Sequence, residues 1–192
     1  MDILFDETLD MEHVADLTSG AVIRDLSKPH ATDLIRAAKA MIHGNKPDSP
    51  APEGIMAMGR IWEIAAQQVM DEYARENGGG FLYDVKMEKD GIICSLDGML
   101  FLPEWTAVVE MKLKFQKAAK PWDKPDWLLQ TKGYCAASGC QRVVFPILNL
   151  LSNPPRAIAT LTGIEYSQLE IDETWQMLLN TKAYLEKQGG EN

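Results

Sequence analysis

Asp97, Glu110 and Lys112 are the residues of this sequence whose types and spacing suit chemistry. Asp97 lies in Ser95-Leu96-Asp97-Gly98, and Val108-Val109-Glu110-Met111-Lys112 follows, with Glu110 thirteen positions after Asp97. Residues two apart on a strand project from one face, so Glu110 and Lys112 share theirs. Strand-forming apolar residues surround them, and a charge in such a place needs a partner, a metal or water. If the strands pair, Asp97 approaches Glu110, and two carboxylates that close repel unless a cation lies between them. A few hard oxygen ligands suit Mg²⁺, and Mn²⁺ as an alternative. A metal so held can also bind a phosphate oxygen, lower the pKa of water and stabilise charge in phosphoryl transfer. Lys112 is placed to orient the attacking water or to neutralise the developing charge. A buried Glu–Lys or Asp–Lys salt bridge between strands accounts for the triplet as well, and the triplet alone leaves both readings open.

Two further features bear on the choice. Glu63 has Gly59, Ala66 and Met70 as helical neighbours, so it borders an apolar stripe from which a carboxylate can reach a sheet. An exposed Glu beside the stripe is the plain alternative. Gln130 and Tyr134, four apart in Gln130-Thr131-Lys132-Gly133-Tyr134, share a helix face and could contact a phosphate and its neighbour. Ordinary surface or half-buried residues also look like this.

These side chains need elements to hold them. Residues 30–43 read as a first helix, with Ala31, Leu34, Ile35, Ala38, Met41 and Ile42 on one stripe. The Pro- and Gly-rich stretch 44–54 reads as a loop. A second helix covers about 55–76, with Met58, Trp62, Ala65, Ala66, Val69, Met70 and Tyr73 as its stripe, and Gly78-Gly79-Gly80 ends it. Residues 81–88 and 92–101 read as strands joined by an Asp90-Gly91 hairpin turn. A third strand is expected over 105–115, a loop over 116–125, a helix over 126–138 and a strand over 141–149. Residues 156–163 read as an edge strand, and 168–187 as a last helix with Ile171, Trp175, Leu178 and Leu185 on one face. Residues 1–29 are acidic and weakly periodic, and read as an irregular arm with short helical pieces. The succession implies an α/β fold, a mixed central β-sheet flanked by helices.

Together the features resemble the PD-(D/E)XK nuclease superfamily, in its RecB-like and lambda-exonuclease (YqaJ-like) branch. That branch carries a helix Glu, an S-x-D-G strand, E-x-K and a helix with Q-x-x-x-Y. They correspond here to Glu63, Ser95-Leu96-Asp97-Gly98, Glu110-Met111-Lys112 and Gln130-x-x-x-Tyr134, over about residues 55–150. The resemblance implies a restriction-endonuclease-like core and metal-dependent hydrolysis of a DNA phosphodiester. It implies Asp97, Glu110 and the Met111 carbonyl as metal ligands and Glu63 on the same or a second metal. Lys112 would handle the water, and Gln130 would steady the lysine, water or phosphate. Leu96 stands where the family's name has proline. His13, His30 and His43 match no family position and receive no role. The iron–sulfur subgroup needs four cysteines; Cys94, Cys135 and Cys140 are three, so no cluster is expected.

Length and composition set the frame. A chain of 192 residues is expected to make one domain with core about 55–150. It has 46% hydrophobic and 24% charged residues, which excludes global disorder, and no apolar run reaches membrane-spanning length. The first residues do not look like a signal peptide, so cytoplasm, in a bacterium or a phage-infected host cell, is the expected location. An odd count of cysteines without a CxxC pair fits buried free thiols in a reducing compartment. A net charge of −9 argues against nucleic acid when taken as an average. Locally, Lys112, Lys114, Lys117, Lys120 and Lys124 face a single acid, Asp123, within 112–124, and Lys132 follows. With Trp122 and Trp127 interleaved, this segment suits a phosphate backbone and stacked bases. A solvated loop anchored by its tryptophans is the alternative.

The expectation is a Mg²⁺-dependent deoxyribonuclease, an exonuclease of phage or recombination type, because no separate sequence-recognition module is visible. DNA is the expected partner, contacted by Lys114, Lys117, Lys120, Trp122, Lys132 and Tyr134. The resemblance leaves room for an oligomer and for a recombinase or annealing-protein partner. The rivals are a noncatalytic nucleic-acid-binding or protein-interaction module with the same fold, and an unrelated α/β protein whose triplet is a salt bridge.

Overall fold

The structure, a computed structural model, describes residues 1–9, 28–43, 53–116, 118–152 and 154–189. In chain order the elements are β1 (Asp2–Leu9), α1 (Ala31–His43), α2 (Glu53–Glu76), β2 (Gly80–Lys89), β3 (Ile92–Phe101), β4 (Thr106–Val109) and β5 (Lys112–Gln116). A 3-10 turn (Pro121–Asp123), α3 (Pro125–Ser138), β6 (Arg142–Ser152), β7 (Pro155–Glu165) and α4 (Gln168–Gly189) complete them. The strands form one mixed sheet in the order β1-β7-β6-β4-β3-β2, with β5 also paired to β6. Among the strand pairings of the described residues, those of β6 with β4 and β5 are parallel and the rest antiparallel. Among the described residues, no helix is long and apolar enough to cross a membrane.

Alternation along the strands puts apolar side chains on both faces of the sheet. Val143, Phe145 and Ile147 of β6 pack with Leu34 of α1, Tyr134 of α3 and Leu178 of α4. Val144 between them packs on the other face with Trp62, Ala66 and Met70 of α2. The product is a helix–sheet–helix sandwich, the expected α/β class. Met41, Ile42, Met58 and Leu185, expected on buried stripes, are exposed. They lie toward the ends of their helices, and a stripe is buried only where the sheet runs beneath it.

Local chemistry sets the joints. Gly78 ends α2 with φ +71°, and Gly79 N–H donates to the Ala74 carbonyl at 2.8 Å. This is the left-handed helix stop that glycine permits. Asp90 and Gly91 both have positive φ, 51° and 71°, as the tight turn joining β2 to β3 requires.

Three expectations are corrected. Residues 2–9, read as part of an irregular arm, form β1, antiparallel to β7; residues 10–27 of that arm lie outside the described residues. The segment 156–163 is therefore no edge strand: β7 lies between β6 and β1. The single strand read over 105–115 is two strands. β4 ends at Val109, and β5 starts at Lys112 with β6 as its strand neighbour. The break comes where the Asp97 side chain of β3 takes the backbone donor of Met111.

Candidate active site

β3 is held by β2 along its whole length, but by β4 only from Gly98 to Phe101. Earlier in β3, Ile93 N–H donates instead to the Pro29 carbonyl at 3.0 Å, and His30 bridges to Ile93. On the far side Glu110 N–H stays with β6, donating to the Val144 carbonyl at 3.0 Å. The sheet thus opens between β3 and β5, and the opening is where the charged residues gather. Asp97 Oδ2 accepts the Met111 N–H at 2.6 Å, so one carboxylate caps the strand break.

Glu110 follows directly. It is 2% exposed, and its Oε1 is ion-paired with Lys112 Nζ. Its other oxygen, Oε2, is buried with no hydrogen-bond partner. Lys112 Nζ also donates to Gln130 Oε1 at 3.1 Å, and Gln130 Nε2 donates to Tyr134 Oη at 2.9 Å. The Lys112 ammonium stands 5.7 Å above the Trp127 ring. Gln130 and Tyr134 share one face of α3, as their four-residue spacing requires, and that face fills the opening of the sheet.

The electrostatics follow from crowding. Burial, then repulsion by Glu110, pushes the Asp97 carboxyl up to about 8, against the opposing pull of Lys112 and the Met111 N–H. Glu110 is raised as well, by burial above all and by Glu63, with Lys112 and the Gln130 amide offsetting part of it. Glu63 is exposed as a residue, yet loss of water around its carboxyl end, together with Asp97 and Asp84, pushes it up to about 7. Three carboxyls from α2, β3 and the β4–β5 break therefore feel one another.

Asp84 joins them. It stands across from Asp97 at the place that the pairs Tyr83–Gly98 and Val85–Leu96 bracket, and its φ is 51°. A cavity of about 290 Å³ opens here, lined by His30, Asp84, Lys86, Ser95, Asp97 and Tyr134 among others. His30, given no role by the sequence, is buried in this wall, with Nδ1 3.4 Å from Ser95 Oγ. Asp84 was legible: a turn centred on Asp90-Gly91 pairs residues whose numbers sum to 181, which sets 84 against 97.

The residues expected on DNA are spread more widely. Lys114 is half-buried on β5, and Lys120 Nζ lies 5.7 Å over the Trp122 ring in the 3-10 turn. Lys117 lies outside the described residues. Lys132 is bound to Glu170 of α4 at 3.1 Å, and lies over the Tyr166 ring. Tyr134 is buried, with its hydroxyl in the Gln130 bond. The cysteines are free; Cys94 and Cys135 are buried and Cys140 is half-buried. Burial pushes all three thiols up, Cys94 to about 12, so they are held protonated.

Does a divalent cation fit? An ion pair of Lys112 with Glu110 alone leaves Glu110 Oε2 sealed without a donor and Asp97 beside it under repulsion. A cation between the carboxylates removes both penalties. The all-oxygen donor set suits Mg²⁺ or Mn²⁺. Among the described residues, no three His, Cys, Asp or Glu side chains are already gathered as a metal site. The fit therefore rests on the orphaned oxygen and the mutual repulsion.

No protein-family profile matches this sequence, and no curated protein does. Among solved structures, the fold is similar to that of SSO0001, with a TM-score of 0.51 and 13% identity, over 84% of this chain and 78% of that one. A lower score, 0.44 at 16% identity, relates it to an alkaline exonuclease (LHK-Exo) from Laribacter hongkongensis, over 86% of this chain and 95% of that one. The complex of LHK-Exo with dAMP scores 0.45 at 18% identity, with the same coverage. At 13% identity the likeness to SSO0001 establishes a shared fold.

Proposed function

We propose that this chain is a metal-dependent DNA nuclease of the PD-(D/E)XK type, acting on phosphodiester bonds as an exonuclease. The observation that carries the reading is the Glu110 oxygen buried without a donor, close to the Asp97 carboxylate that accepts the Met111 N–H. A purely structural Glu–Lys pair does not account for that arrangement. Asp97 and Glu110, with the Met111 carbonyl and Glu63, are the groups that would hold Mg²⁺ or Mn²⁺. When bound, the cation supplies Lewis-acid stabilisation of negative charge on the phosphate.

The chain's own residues do the rest. Lys112 sits within the carboxylate cluster, so its ammonium orients the attacking water or meets the charge that develops on the phosphate. Gln130 fixes the Lys112 ammonium by accepting from it, and Tyr134 fixes Gln130 by accepting its amide N–H. The segment carrying Lys114, Lys117, Lys120 and Trp122 begins at the site and supports the backbone of the DNA. This local charge is what reconciles a DNA substrate with a net charge of −9.

The test is incubation with end-labelled linear DNA and with closed circular DNA, in Mg²⁺, Mn²⁺ or EDTA. Cleavage of the linear form alone, abolished by EDTA, is expected. Cleavage of both forms would mean an endonuclease. Asp97→Ala and Lys112→Ala should each lose more than about 100-fold in rate. Undiminished activity in both would overturn the site, and metal-independent DNA binding without cleavage would favour the noncatalytic module.

A further inference from the structure

Tyr83 is a large aromatic residue left 63% exposed on β2, an edge strand of the sheet. It pairs with Gly98, the residue after Asp97, and precedes Asp84. Phe81, two residues earlier, is buried in the core beneath α2, so strand alternation turns Tyr83 toward the same side. Glu63 approaches the cluster from α2 on that side. Gly98 has no side chain to cover the tyrosine from across the strand pair. A Cβ there would lie 2.3 Å from the Phe81 ring. Phe81 thus needs the glycine, and the glycine leaves Tyr83 open next to Asp84 and opposite the residue that follows Asp97. A ring this exposed adds little to the core, but its face is free to stack on a nucleobase.

We propose that Tyr83 is a base-stacking residue, taking the nucleobase next to the phosphate that lies at Asp97 and Glu110. The inference rests on the nuclease reading and sharpens its substrate. A base can lie on Tyr83 only when it has left the duplex stack, so the site takes single-stranded or frayed DNA ends.

The test uses a single-stranded oligonucleotide with terminal 2-aminopurine, whose fluorescence stacking quenches, with Ca²⁺ replacing Mg²⁺ to slow cleavage. The wild type and Tyr83→Phe should quench the probe alike and bind it within about twofold of each other. Tyr83→Ala and Tyr83→Leu should lose the quenching and bind roughly 5- to 100-fold more weakly. Both should keep the Mn²⁺ affinity of the wild type, which shows an intact site. Wild-type quenching and affinity in Tyr83→Ala would overturn the stacking role and leave the nuclease reading standing. A wild type that neither binds the probe nor cleaves linear DNA in Mg²⁺ would overturn the nuclease reading, and the stacking role with it.

Discussion

A carboxylate oxygen sealed from water without a donor, as Glu110 Oε2 is, costs roughly 1–3 kcal/mol or more. Its neighbour Asp97 adds to the strain of charge. A carboxyl whose folded pKa lies above its unfolded value favours folding in its protonated form. That stability is fully present below about 4 and is lost as pH rises through about 8 for Asp97 and about 7 for Glu63. The metal-free protein should therefore melt at a lower temperature at about pH 8.5 than at about pH 5.5 in scanning calorimetry. Asp97→Asn should flatten that dependence, and a slope unchanged by the substitution would contradict the assignment. Gln130 is bonded to Lys112 and Tyr134, and in the proposed site it acts as a positioning residue. Gln130→Ala should lower kcat about tenfold with KM little changed, the pattern expected when a group acts through transition-state orientation. At this scale the sequence displayed Asp97, Glu110, Lys112, Gln130 and Glu63 by type and spacing. It did not display His30, because the docking of Pro29–His30 against β3 joins segments more than sixty residues apart.

Elements place these residues through turns and close approaches. Gly98 lets the Phe81 ring and the Leu82 carbonyl pass within 2.3 and 2.7 Å of where a Cβ would stand. Gly98→Ala should destabilise the fold by about 1–3 kcal/mol by overpacking, read from denaturant midpoints. A midpoint within error of the wild type would show that the strand pair can give. The hairpin was legible because Asp90-Gly91 favours a tight two-residue turn, and the long helices were legible from their helical period. The break between β4 and β5 was not. Its cause is the capture of the Met111 N–H by the Asp97 side chain, a partner fourteen residues away in sequence, while the Glu110 N–H keeps its place in the ladder with β6. β1 was equally hidden. Its charges suit an edge strand, and its partner β7 lies some 150 residues away.

Across the whole molecule, an acidic chain presents a basic stretch beside a cluster of carboxylates. Binding of DNA through the 112–124 segment should therefore fall steeply with salt. Replacing Lys114 and Lys120 by Ala should reduce the slope of log affinity against log salt by about 0.7–0.9 for each phosphate that is no longer neutralised. An unchanged slope would move the DNA path elsewhere. The central claim is that the carboxylates of α2, β3 and the β4–β5 break converge on a divalent ion. Calorimetric titration of Mn²⁺ into the metal-free protein tests it most directly. The account predicts saturable binding by the wild type, weakened at least about tenfold in both Asp97→Asn and Glu110→Gln. Absence of wild-type binding, or wild-type affinity in both variants, would contradict it.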